Sequence, residues 1–256
     1  MKSVIRGMMV FSAIAGAVAL NAQAPSQPAP AAAPATTAAD LTADQVVSKY
    51  LAAVGGKDAI SQVKSMSMET SVQVMGNEAP STTVIVDGVG YKTETDFNGS
   101  KIVQCYTDKG GWSVNPMAGS ADPTPMPDDE YNAGKDEIHI GGALLDYADN
   151  GGKLELISKD AGTYKVKLTS KEKQETTYVF DASTYLIKSV LRKGKMQGQD
   201  VDITTTFSDY RKTDVGFMIP YAMDLDFGGQ FQLSIVVKKV ELNKTVDPAI
   251  FAMPKA

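Results

Sequence analysis

A single cysteine, Cys105, and a single histidine, His139, leave this 256-residue chain without the raw material of several chemistries. One thiol forms no internal disulfide, so the fold must be held by its core. One imidazole excludes a His-rich metal centre, and neither HExxH nor CxxC occurs. A Ser/His/Asp triad would have to use His139, yet the chain contains no GxSxG elbow. Phosphate-binding and dinucleotide-binding glycine fingerprints are also absent. There is no excess of basic charge: the formal net charge is −5. That balance argues against nucleic acid or an anionic membrane surface as an electrostatic partner.

Beyond residue 20 no long apolar run occurs. The first residues carry Lys2 and Arg6, then an uncharged apolar stretch from Met8 to Leu20, then Asn21-Ala22-Gln23-Ala24. This reads as a secretory signal peptide over 1–22, with cleavage after Ala22 or Ala24. The apolar stretch falls short of the roughly 20 residues that span a bilayer. No cysteine follows it as a lipid-attachment site, so the expected product is a soluble, monomeric periplasmic protein, or alternatively a secreted one, with peripheral or no membrane association. Loss of Lys2 and Arg6 takes the formal charge from −5 to −7. Residues 23–39 are alanine and proline with almost no large apolar side chain; such a segment cannot offset its ordering entropy and is expected to be a disordered leader.

The globular domain is expected over 40–256. Asp40 or Thr42 is placed to cap a helix whose Val47, Tyr50, Leu51 and Val54 recur at helical spacing, with Gly55-Gly56 as its stop. Lys57 to Val63 reads as a second short helix. From Ser65 the period changes to two: Met66, Met68, Thr70, Val72 and Val74 alternate with polar residues. Short strands bounded by turn residues follow to Asn115, which predicts an antiparallel meander. Pro116 to Ala133 reads as a loop or short exposed helix, and Asp136 to Ala148, with Ile140, Leu144, Leu145 and Ala148 near helical spacing, as a second covering element. Strands then resume, among them Tyr164, Val166 and Leu168 against Lys165, Lys167 and Thr169. The most regular hairpin is Ile219, Tyr221, Met223, Leu225 and Phe227, then Phe231, Leu233, Ile235 and Val237. Its Asp224 and Asp226 fall on the other face. The tail from Val246 to Pro254 is expected to dock on an edge or under a helix.

About ten strands with one apolar face each exceed what two or three short helices can cover. Such a sheet must close, pair with a second sheet, or leave room for a ligand or partner. The candidate lining residues are Met66, Met68, Val72, Tyr164, Val166, Tyr221, Met223, Leu225, Phe227, Phe231, Leu233 and Ile235. Methionine and tyrosine suit an adaptable pocket, though each is equally at home in an ordinary core. Cys105 falls within a strand pattern and is expected to be buried rather than nucleophilic. The acidic run Asp128-Asp129-Glu130 with Asp136-Glu137 lacks calcium-loop spacing. No metal, cofactor or catalytic residue is assigned.

Three stretches, YLAAVGGKDAISQVKSM, FSDYRKTDVGFMIPYAMDL and VDPAIFAMP, resemble the outer-membrane lipoprotein-sorting (LolA/LolB-like) superfamily of exported bacterial proteins. The likeness runs over about Asp40 to Pro254. It implies an unclosed antiparallel β-barrel of ten to eleven strands with a helical lid, a non-enzymatic protein holding a lipid or lipoprotein acyl chain. In the carrier itself an arginine on an early strand holds the lid. The corresponding strands here, Met66 to Val74 and Thr82 to Val86, carry none. The alternative is an envelope protein–protein interaction module with no lipid ligand.

Overall fold

The computed structural model describes residues 41–160, 162–196 and 199–254, so the expected signal peptide, its cleavage point, the leader and Asp40 lie outside the described residues. Helix α1 (Ala43–Ala53) begins at Thr42, whose side chain accepts from the Gln45 amide at 3.2 Å while the Gln45 side chain accepts from the Thr42 amide at 2.9 Å. This reciprocal capping box satisfies two donors that a helix start otherwise leaves unpaired. Val46, Val47, Leu51 and Val54 form its buried face. Gly55 stops it in the left-handed region at φ 117°, where a side chain would also meet the Gly216 carbonyl oxygen 2.5 Å away. Helix α2 (Gly56–Ser61) follows and buries Ala59 and Ile60.

The remaining chain forms one open antiparallel sheet. Its first meander comprises β1 (Ser65–Val74), β2 (Asn77–Val86), β3 (Gly90–Phe97), β4 (Ser100–Thr107), β5 (Gly110–Asn115) and β6 (Ser120–Pro125). After helix α3 (Asp128–Gly134) and a 3-10 turn over Lys135–Ile138, the second comprises β7 (Lys153–Asp160), β8 (Thr163–Thr169), β9 (Glu175–Asp181), β10 (Ile187–Met196), β11 (Gln199–Lys212), β12 (Met218–Phe227) and β13 (Gln232–Leu242). Strand order is β6-β5-β4-β3-β2-β1-β13-β12-β11-β10-β9-β8-β7, so the first and last strands join the meanders and β6 and β7 are the free edges.

The unclosed antiparallel architecture is the expected one, but it has 13 strands rather than ten or eleven. One that pattern reading misses is β6, in a segment read as loop or helix. Pro123 and Pro125 are tolerated there because an edge strand has one side without ladder bonds to donate. The covering element expected over Asp136–Ala148 is present, but its near-helical spacing is not realised as a helix. Helix α3 precedes that segment, the 3-10 turn occupies its start, and turns occupy the rest. Gly142 at φ 65° breaks a helical path there. Ile140 and Leu144 still bury their side chains in the main core, through turns rather than a helix.

The sheet has two dressed faces. On one, α1, α2 and the turns around Ile140 and Leu144 pack on Met66, Ile85, Tyr164, Val166, Phe180 and Ile219. On the other, the 3-10 turn Pro248–Phe251 covers Val103, Cys105 and Trp112. The tail therefore docks on the back of the sheet, not on an edge or under a helix as expected. Its anchor Phe251 is buried over Gly90, where a Cβ would come within 2.5 Å of the phenyl ring.

Candidate functional site: an apolar strip beyond the helices

Register fixes which side chains share the helix-bearing face. Met223 pairs with Ile235 and Leu225 with Leu233 across β12 and β13, while Val72 pairs with Ile235 and Val74 with Leu233 across β1 and β13. A bulge at Lys238 then shifts the parity, so that Val240 and Leu242 stay on the same face opposite Met68 and Met66. The strip continues through Phe227 to Ile203 on β11. Phe231, in the β12–β13 turn, packs its ring 5.7 Å from that of Phe227.

The expected lining residues divide into two groups. Met66, Tyr164 and Val166 are 7%, 7% and 0% exposed beneath the helices, where side chains fill the space. Met68 and Tyr221 are partly buried at the margin of that core. Met223, Leu225, Phe227, Phe231, Leu233 and Ile235 are half-buried and stand outside the helix-packed core, and Val72 is buried beside them. Among the described residues, the helices pack on one end of this face, and the apolar strip over β1 and β11–β13 at the other end lies outside the core they form. Asp224 and Asp226 point to the back, where Asp224 accepts from Ser234 and Asp226 accepts from the Gln232 side chain at 2.6 Å. An open depression of about 540 Å³ lies on this polar side, lined by Thr204, Thr206, Asp224, Asp226, Gln232 and Ser234 together with Leu225 and Leu233.

The wall is not uniformly apolar. Thr70, Ser81 and Thr83 are buried on β1 and β2, facing Thr93 and Thr95 on β3. Ser81 Oγ lies 2.8 Å from Thr95 Oγ1 and donates to the Glu94 carbonyl at 3.0 Å, and Thr83 donates to Thr93 at 3.2 Å. This hydroxyl ladder adjoins the apolar strip through the Thr70–Val72–Val74 side of β1.

Helix α3 and its 3-10 turn tie two parts of the sheet together. The Tyr131 hydroxyl donates to the Thr107 carbonyl of β4 at 2.9 Å, and Gly134 lies so close to Tyr106 that a Cβ would approach the ring within 2.4 Å. From the opposite side, Lys135 pairs with Glu172 at 2.8 Å, while Arg192 of β10 reaches the Ala133 carbonyl at 3.5 Å and Glu137 at 3.7 Å. The early strands do lack arginine, as read from sequence; a late strand supplies the one that touches this segment. Tyr91, Tyr106 and Tyr178 gather near it. Burial pushes the Tyr106 phenol up to about 12 and raises Tyr91 and Tyr178 further, with Glu137 adding to and Arg192 opposing each rise. Pattern reading did not single out these tyrosines or Arg192.

Cys105 is fully buried, as expected, and burial raises its thiol to about 11. Among the described residues no group of three or more His, Cys, Asp and Glu side chains is placed to hold a metal ion, and no helix is long and apolar enough to cross a membrane.

The fold is similar to that of two solved structures. The structure superposes on a LolA superfamily protein from Nitrosomonas europaea with a TM-score of 0.55 and 11% identity, covering 84% of this chain and 99% of the other. An outer-membrane lipoprotein-sorting protein domain from Vibrio parahaemolyticus gives a TM-score of 0.50 at 10% identity, covering 80% of this chain and 97% of that one. No family model and no curated protein matches the sequence.

Proposed function

We propose that this protein is a non-enzymatic binding protein of the bacterial envelope that holds an acyl chain of a lipid or lipoprotein on the uncovered end of its helix-bearing face. The observation that carries this reading is the strip of Met223, Leu225, Phe227, Leu233 and Ile235, half-buried and outside the helix-packed core. Contiguous apolar surface is uncommon on a monomer without a ligand or partner. A chain of methylenes suits it, because each CH2 withdrawn from water contributes about 0.8 kcal/mol without demanding directional contacts. The fold shared with a lipoprotein-sorting domain is consistent with a carrier, as is the leader that reads as a signal for export to the periplasm or beyond.

Native mass spectrometry of gently purified mature protein should show a co-purifying lipid. After delipidation, a fluorescent fatty-acyl probe should bind with one-to-one stoichiometry. A delipidated protein that binds no acyl probe, while a cross-linking pull-down returns one stoichiometric envelope protein, would replace the lipid with a protein partner.

A further inference from the structure

We propose that Arg192 is the head-group anchor of this site, so that the preferred ligand is an anionic amphiphile whose carboxylate or phosphate meets the guanidinium while its chain lies along the neighbouring apolar rows. The inference rests on the acyl-binding reading above and adds a ligand class to it.

The register supplies the geometry. Leu154, Leu168, Thr176, Arg192, Ile203 and Phe227 are successive cross-strand partners from β7 to β12, forming one row of the helix-bearing face. The adjacent row runs Leu156, Val166, Tyr178, Val190, Thr205, Leu225 and on to Leu233 and Val74. Arg192 is the one charged residue in either row. With strands about 4.8 Å apart, Phe227 stands two strands, or about 10 Å, from Arg192, well within the reach of an acyl chain.

The guanidinium is available for this role. It carries five N–H donors, and its protein contacts are long: the Ala133 carbonyl at 3.5 Å and the Glu137 carboxylate at 3.7 Å. Charge-assisted bonds at full strength form at about 2.7–2.9 Å and pair bidentately with carboxylate or phosphate. The Arg192 side chain keeps 37% of its surface exposed, although its cross-strand neighbours are Thr176 and the buried Ile203. A cation in such a place binds an anion more strongly than one in open water, because the surrounding wall screens it less. Tyr91, Tyr106 and Tyr178 feel the charge of Arg192 and stay protonated by burial, which keeps any competing phenolate out of the neighbourhood. Among the described residues Glu137 is the rival anion that Arg192 touches, and it lies on the short turn after α3.

The test uses the delipidated mature protein and two probes that share one fluorophore and one chain: a fluorescent C16 fatty acid and its neutral methyl ester. Wild type should bind the acid at least about tenfold tighter than the ester, the scale of one charge-assisted contact. Arg192→Gln should bring the ratio to near one with the ester affinity unchanged. Glu137→Gln, which leaves the cation and removes its rival, should tighten the acid and not the ester. Equal wild-type affinities, an Arg192→Gln loss shared alike by acid and ester, or a Glu137→Gln protein with unaltered acid affinity would each overturn the anchor while leaving acyl binding standing. If neither probe binds, the acyl-binding reading itself fails and the anchor falls with it. Fatty acids and lysophospholipids present the same kind of anion, and competition of the bound acid by each in turn separates the two sources.

Discussion

The indole N–H of Trp112 donates to the main-chain carbonyl of Phe251 at 2.9 Å, and the Cys105 thiol meets the same oxygen at 3.4 Å. A carbonyl in the last turn of the chain thus closes a cluster whose other members belong to β4 and β5. Phe251→Ala should cost about 3–5 kcal/mol, the usual price of emptying a buried phenylalanine site. Trp112 is the only tryptophan, so its emission reports on this cluster alone. Denaturant titration should show the lower midpoint, and native emission should shift to the red.

Cys105 sits in the same cluster and gives a chemical reading of it. Because burial raises the thiol to about 11, almost none is thiolate at pH 8, and the sulfur has no exposed surface. A thiol reagent at that pH should leave the native protein unlabelled for hours and modify one equivalent in denaturant. Phe251→Ala should label at an intermediate rate. Rapid stoichiometric labelling of the native wild type would contradict the seating of the tail.

Val166 and Leu225 face the same side of the sheet and should fail differently. Val166 has no exposed surface and lies under the helices, so Val166→Ala should lower stability by about 1–2 kcal/mol and weaken acyl binding only in proportion to unfolding. Leu225 is half-buried beyond them, so Leu225→Asp should leave the melting temperature within a few degrees while reducing acyl-probe affinity by about tenfold or more. Measuring Tm and probe affinity on both variants separates the covered end from the uncovered one.

Asp181 shapes the turn from β9 to β10, accepting from the Ser183 and Thr184 amides at 2.9 Å each and from both hydroxyls. Those bonds, led by the Ser183 hydroxyl, hold its carboxyl well below the ordinary 3.8. A depressed folded-state value means that the contribution is fully present above the unfolded-state value near 4 and is lost as pH falls through the folded one. Stability should therefore decline below pH 4, and Asp181→Ala should be less stable than wild type at pH 7 with a shallower acid decline. Thermal melts from pH 7 to pH 2 on both proteins check the sign.

Period-two alternation was enough to place most of the sheet, because a strand with one buried face writes that face into every second residue. It could not reveal β6, where Pro123 and Pro125 occupy an edge and the pairing has no apolar signature. Over Asp136–Ala148 it placed a covering element but not its form, since Ile140 and Leu144 have the spacing of a helix face but reach the core from turns around Gly142. Within the candidate site, the alternation of Tyr221 to Ile235 is plain in sequence. What sequence withholds is the reach of the helices: nothing local to Val166 or Leu225 says that one lies beneath α1 and α2 and the other beyond them. Arg192 escaped notice for a related reason. Its row is assembled from six strands, and only long-range register shows that its neighbours are Thr176 and Ile203.

The seam between β1 and β13, which sets Met66 opposite Leu242, also orders events in time. Each meander needs only contacts between neighbours in sequence, which form early at little cost in loop closure. The seam must wait for nearly the whole chain. Until it forms, β1 and β13 are bare edges carrying Val72, Val74, Leu233 and Ile235, and such edges are where unfinished sheets recruit one another. The surface that we assign to the ligand is thus also the surface most exposed in a half-made molecule, so an amphiphile arriving during folding would guard the chain as well as be carried by it.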